Sequence, residues 1–195
     1  VMLRPRAGGF AYSDDEQDVM LRDAELALAA GARGIVFGAL NDRREIDANR
    51  TERLVAAADG RETVFHRAFD STIDRDAALD ALCDLGVTRV LTSGGAASAQ
   101  EGAPVIRELI QRGSGAIEIV PCGRIMPHNV ARLVEDTGCS QVHIGAAASH
   151  VDASIDCAAA AGLCDLPRLQ AGEVRVVDEA IVKSVAYALK RRPAK

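Results

Sequence analysis

The sequence predicts an α/β protein organised as most of a (β/α)₈ TIM barrel. Three observations carry that expectation. Glycines recur at a near-constant interval, a short apolar run follows most of them, and no G-x-G-x-x-G follows the first run. Gly31, Gly60, Gly86, Gly113 and Gly138 lie 29, 26, 27 and 25 residues apart, each after an Ala- or Leu-rich stretch. A glycine just past a helix end supplies the left-handed C′ position. Alternating strand and helix at this period is the βα unit. A dinucleotide-binding sheet would place its glycine fingerprint directly after the first strand, so no nucleotide cofactor is expected.

The strands read as Val1–Arg4, Ile35–Gly38, Thr63–His66, Arg89–Thr92, Ile117–Val120 and Gln141–Gly145. Most are continuous apolar runs, as parallel strands covered on both faces require. Ser13 with Glu16, and Ser98 with Glu101, have capping-box spacing, in which each side chain satisfies the other's free N–H. Pro127 suits a first helical position, where its missing N–H costs nothing. Ala146–Gly172 reads as an irregular loop with one short helix, and Val176–Arg191 as a closing helix. No linker interrupts the chain, so residues 1–195 are expected to form one domain. The chain opens on Val inside a strand. Two more units of this length would approach the ~250 residues of a whole barrel. The expected architecture is therefore a barrel lacking its first two βα units.

Composition narrows the partners. A net charge of −5 argues against nucleic acid, which calls for a basic face. Two Tyr, four Phe and no Trp leave little for base stacking. No apolar run reaches the roughly 18 residues of a membrane span, so no membrane partner is expected. The five cysteines, Cys83, Cys122, Cys139, Cys157 and Cys164, include no CxxC pair. They fit a reducing cytoplasm.

In a parallel barrel the chemistry sits at the C-terminal strand ends. Arg4 and Arg6 end the first strand two residues apart and on one face. They read either as a clamp for a carboxylate or phosphate or as rim residues paired to a nearby acid. His66 ends the third strand as a candidate acid/base, with Asp70 placed to set its tautomer and Arg67 on the other face. His143 ends the last strand and would share the mouth with His66 in a closed ring. It reads equally as a satisfied structural histidine. Ser93, Gly94 and Gly95 follow the fourth strand, where backbone N–H groups in a glycine turn can cradle an anion. Gly123 and Arg124, in the next loop, could extend that cradle. Cys122 alone among the cysteines falls at a strand top, and one thiol does not make a copper(I) site, which needs two or more soft ligands.

The segments RPRAGGFAYSDDE, GIVFGAL, VFHRAFD, VLTSGGAASAQEG and IEIVPCGRIMPHNVARLV, in this order, resemble the CutC copper homeostasis family from Val1 to about Ile144. The resemblance implies a (β/α)₈ barrel, a cytoplasmic location, a homo-oligomer and a role in copper handling, with no agreed reaction. Two departures bear on the site. The family pattern starts with two further βα units, one carrying a glutamate and a cysteine near its strand top. Its late loop reads PGGGI where this chain has PCGRI, so Cys122 and Arg124 stand at glycine positions. The ligand expected is a small anion or a copper ion, with copper(I) held weakly by this chain. The other reading is an enzyme of small anionic metabolites, with His66 and Asp70 catalytic and the copper role indirect.

Overall fold

The computed structural model describes residues 1–153 and 172–190. The described residues gather into two compact units. The first comprises Val1–Ile125 with Arg132–His143. It contains α1 (Asp14–Ala29), β1 (Gly34–Phe37), α2 (Ala48–Ala57), β2 (Glu62–Phe65), a 3₁₀ turn (Arg67–Ser71), α3 (Arg75–Asp84), β3 (Arg89–Thr92), α4 (Ala103–Arg112) and β4 (Glu118–Pro121). Helix α5 (Val130–Thr137) contributes residues to both units.

Strands β1 to β4 form a parallel sheet in strict chain order. That order has no switch point, which separates a barrel from a doubly wound sheet. The arc continues by single bridges on both sides. Met2 pairs with Val36 and His143 with Cys122, both in parallel sense. The expected first strand, Val1–Arg4, therefore reduces to two backbone bonds with Val36. The expected last strand, Gln141–Gly145, reduces to one bridge, where the His143 N–H donates to the Pro121 carbonyl at 2.9 Å.

Laddered partners in a parallel sheet point to the same side, and residues two apart in a strand share that side. The register pairs Val36 with Val64, Val64 with Arg89, Arg89 with Glu118, and Leu91 with Val120. The inner face is thereby layered. Glu62, Arg89 and Glu118 lie at the N-terminal end, and Val36, Val64, Leu91 and Val120 lie in the middle. Arg4, Gly38, His66, Ser93 and Cys122 come at the C-terminal end. The middle layer packs together with Cys122. The other face buries Ile35, Phe37, Phe65, Val90 and Ile119, the side that barrel helices cover.

The helices begin and end for local reasons. At α1 the capping box forms as expected, Ser13 Oγ accepting from the Glu16 N–H and Glu16 accepting from the Ser13 N–H. Asp47 and Asp74 cap α2 and α3. Ser98 and Glu101 do bond to one another, but in the turn ahead of α4, whose cap is Gly102 and whose early proline is Pro104. Pro127 likewise lies in a turn, three residues before α5. Four of the five periodic glycines adopt positive φ. Gly113 does not, with φ −79°, because the G-S-G sequence there moves the left-handed residue to Gly115 at φ 82°.

The second unit comprises Met126–Ala131 and the described residues from Ile144 onward. It holds an antiparallel pair, β5 (Ala147–Val151) and β6 (Glu173–Val177), followed by α6 (Glu179–Lys190). The irregular loop expected over Ala146–Gly172 thus opens with a strand, and residues 154–171 lie outside those described. The closing helix starts three residues later than Val176. The sequence EVRVV is β-branched at alternate positions and suits a strand. Asp178 then caps α6, its Oδ1 accepting from Ala180 N at 2.7 Å.

Candidate functional site

The C-terminal ends of the strands in the first unit carry two polar groupings. One is centred on Asp70. The 3₁₀ turn after β2 carries its side chain to the top of β3. There the carboxylate accepts from Thr92 Oγ1 at 2.5 Å and from the N–H groups of Ser93 and Gly95 at 3.1 Å. Arg67 Nε donates to its other oxygen at 2.8 Å, and Arg67 Nη2 reaches Ser93 Oγ at 2.8 Å. Burial alone would raise the Asp70 carboxyl, yet the bonds from Thr92, Arg67, Ser93 and Gly95 hold it below its usual range. It is a carboxylate at neutral pH.

This corrects two expectations. Asp70 does not orient His66, because the turn points it at the next strand. Nor are Ser93, Gly94 and Gly95 an open cradle. The glycine turn has the predicted shape, with Gly94 and Gly95 at φ 69° and 72°, but its donors are taken. Ser93 and Gly95 serve Asp70, and the Gly94 N–H serves Thr92 Oγ1 at 2.8 Å. Arg67, expected on the opposite face, joins this grouping instead.

The other grouping surrounds His66. The residue is 5% exposed, and its Nδ1 accepts from the Ala68 N–H at 3.2 Å. That bond places the ring proton on Nε2. Nε2 is buried and meets no hydrogen-bond partner among the described residues. Burial, reinforced by the charge of Arg4, lowers the imidazole to about 4, so it is neutral at pH 7. Gly38 makes room for it, since a Cβ there would overlap the ring. The Phe10 ring covers the same imidazole, centroids 5.1 Å apart, and the Arg4 guanidinium lies 4.7 Å over Phe10.

Arg4 and Arg6 end up with different tasks. Arg4 donates to the carbonyls of Arg6 and Gly8 at 3.1 and 2.7 Å, and among the described residues it has no carboxylate partner. Arg6 is ion-paired to Glu16, donates to the Ala11 carbonyl at 2.6 Å and lies over the Tyr12 ring. Its charge is spent on the capping acid of α1, the rim arrangement that the sequence left open as an alternative to a clamp.

The remaining candidates are dispersed. His143 is exposed in the layer of Cys122, with β3 and β4 between it and His66. Gly123, at φ 104°, accepts from the Ala99 N–H at 3.0 Å through its carbonyl. Arg124 is exposed at φ 53°, a left-handed position that favours glycine. Cys122 is 2% exposed, and burial pushes its thiol up to about 12 against the pull of Arg67. Copper(I) wants a thiolate with a second soft ligand. Among the described residues no group of three or more His, Cys, Asp or Glu is disposed to hold a metal ion. Cys157 and Cys164 lie outside those residues. The described donors alone do not fit a copper(I) site. Sequence reasoning also missed Tyr12, which is 6% exposed with a buried hydroxyl that meets no partner among the described residues.

A model of the CutC family matches residues 1–148. A CutC family protein of Treponema denticola is 48% identical over 145 residues, covering 74% of this chain and 59% of the relative. A human relative, named a copper homeostasis protein cutC homolog, is 45% identical over 146 residues, covering 75% and 54%. The chain thus spans under two thirds of the curated relatives it matches. Among solved structures, a CutC from Streptococcus agalactiae superposes with TM-score 0.70 at 33% identity, over 73% of this chain and 70% of that one. A 3-keto-L-gulonate-6-phosphate decarboxylase from Vibrio cholerae superposes with TM-score 0.51 at 13% identity, over 89% and 68%, a likeness of fold alone.

Proposed function

The chain belongs to the CutC family, and from that premise we propose that it serves copper homeostasis through a barrel mouth that binds a small anion. The fold class is the family's, a (β/α)₈ barrel architecture. One observation supports the anion: the His66 grouping contains donors and a cation with no acid to match. Arg4 has no carboxylate partner among the described residues, and His66 Nε2–H meets nothing. Surplus donors of this kind favour an anionic ligand.

Copper(I) binding by this chain is proposed to be weak. Cys122 is a protonated, buried thiol, and a metal must displace its proton. A cytoplasmic location fits the thiol state of Cys83 and Cys122.

Calorimetric titration of the chain with sodium acetate and with sodium phosphate, alongside a copper(I) competition assay, tests this reading. The expected result is one saturable anion site and little copper(I) uptake. Tight one-to-one copper(I) binding that survives Cys122→Ala, with neither anion bound, would overturn it.

A further inference from the structure

Of the side chains that are more than nine-tenths buried and carry a polar atom without a partner among the described residues, two lie near Arg4. They are His66, through Nε2, and Tyr12, through its hydroxyl. A buried donor left unmade costs a free energy comparable to a lost hydrogen bond, so two such groups together call for an explanation. Both lie within electrostatic reach of Arg4. Phe10 links them: it contacts the His66 ring and the Arg4 guanidinium and precedes Tyr12 by two residues.

We propose that His66 Nε2–H, the Tyr12 hydroxyl and Arg4 form a subsite for the carboxylate of a small organic monoacid, with Phe10 as its apolar cover. This rests on the reading of the mouth as an anion site and names its ligand class. Charge decides the class. Arg6 is neutralised by Glu16, Arg67 by Asp70, and the imidazole is neutral, so of the groups around His66 and Tyr12 Arg4 alone contributes an unmatched positive charge. A site of single charge matches a monoanion, whereas a phosphate dianion would bury charge that nothing balances. The Asp70 carboxylate reinforces the point, because it fills the glycine turn where a phosphate would otherwise sit. A carboxylate has acceptor capacity for all three donors.

The test follows the His66 imidazole ¹⁵N resonances at about pH 8.5, where inorganic phosphate is almost wholly the dianion, while sodium acetate, then sodium phosphate, is added to the 195-residue chain. Acetate should shift Nε2 saturably, and phosphate should bind at least about tenfold more weakly. Tyr12→Phe keeps the ring and should weaken acetate about fivefold to tenfold. Arg4→Gln should weaken it more than about tenfold, with Arg4→Lys recovering part of the loss. Thermal melts establish that each variant is folded, and Tyr12→Phe carries the test if Arg4→Gln is not. Saturable acetate binding that leaves His66 silent and is unchanged in Tyr12→Phe would overturn the subsite while leaving the anion-binding mouth standing. Phosphate binding tighter than acetate would overturn the monoacid class. Binding of neither anion would remove both readings.

Discussion

The two ends of the inner face both carry arginine and carboxylate, but in different proportion. At the N-terminal end Arg89 is held between Glu62 and Glu118, each at 2.6 Å. Ser140 and Gln141 bond to Glu118 in turn. Each of the three donating nitrogens of Arg89 faces a carboxylate oxygen. At the C-terminal end Asp70 and Arg67 balance one another, but Arg4, His66 and Tyr12 stand in surplus beside them. Polarity alone therefore does not mark a site. An ion network that closes on itself is structural, as expected of the N-terminal barrel face, while an excess of one sign or of donors implies a missing ligand.

The comparison can be broken at four points. The largest effect is expected from Asp70→Ala, which leaves Arg67 and the Ser93 and Gly95 N–H groups without their acceptor. Loss of the acid from such a buried arrangement should cost about 3–4 kcal/mol in urea melts. The pH dependence has a defined sign. Because the folded carboxyl titrates below the usual ~3.9, its contribution is complete above that value. It is lost as pH falls through the lower, folded-state value. A cost under about 1 kcal/mol would mean the turn holds its shape without Asp70.

His66 comes next. Its folded-state value of about 4 lies below the ~6.5 of an unfolded imidazole, so the unfolded chain takes up the proton first. Stability is complete above the unfolded value and falls as pH drops toward the folded one. Between pH 7 and pH 5 the loss should reach about 2 kcal/mol, and His66→Gln should flatten that slope. An imidazole midpoint near 6.5 in an NMR titration would show that the ring is solvated.

Arg89→Met probes the balanced end. The pairs around it are partly exposed, so the cost should be about 1 kcal/mol and should shrink in 0.5 M NaCl. The Asp70→Ala cost should change little with salt. Equal salt sensitivity at the two ends would erase the contrast drawn above. The smallest effect is expected at Arg124, which occupies φ 53°. Arg124→Gly relieves that conformation and should raise stability by about 0.5 kcal/mol, read as a shift in the urea midpoint.

The ladder was legible because its signals are local. The spacing of Gly31, Gly60, Gly86 and Gly113, together with the apolar runs, placed β1 to β4 within a residue of their observed bounds. The Ser13–Glu16 box was equally direct. Directions in space were not legible. Asp70 looked like a neighbour of His66 and Arg67 looked placed on the opposite face, but the 3₁₀ turn sends both to β3. Arg4 and Arg6 looked equivalent, and only tertiary contact with Glu16 separates them. Tyr12 gave no signal, because an unpartnered hydroxyl is a property of packing rather than of pattern. The hairpin of β5 and β6 was missed for a related reason, since its strands pair across a long intervening segment.

The chain-order arrangement of β1 to β4 also bears on how the protein acquires its structure. Each strand ladders only with the strands one repeat away, so every closure in the sheet spans a loop of some two dozen residues, as in the step from Val64 to its partner Arg89. The entropy of closing a loop rises slowly but steadily with its length, and chains dominated by short-range contacts collapse fastest. Assembly of β1 to β4 can therefore advance one repeat at a time during synthesis, each new helix and strand docking on a template already in place.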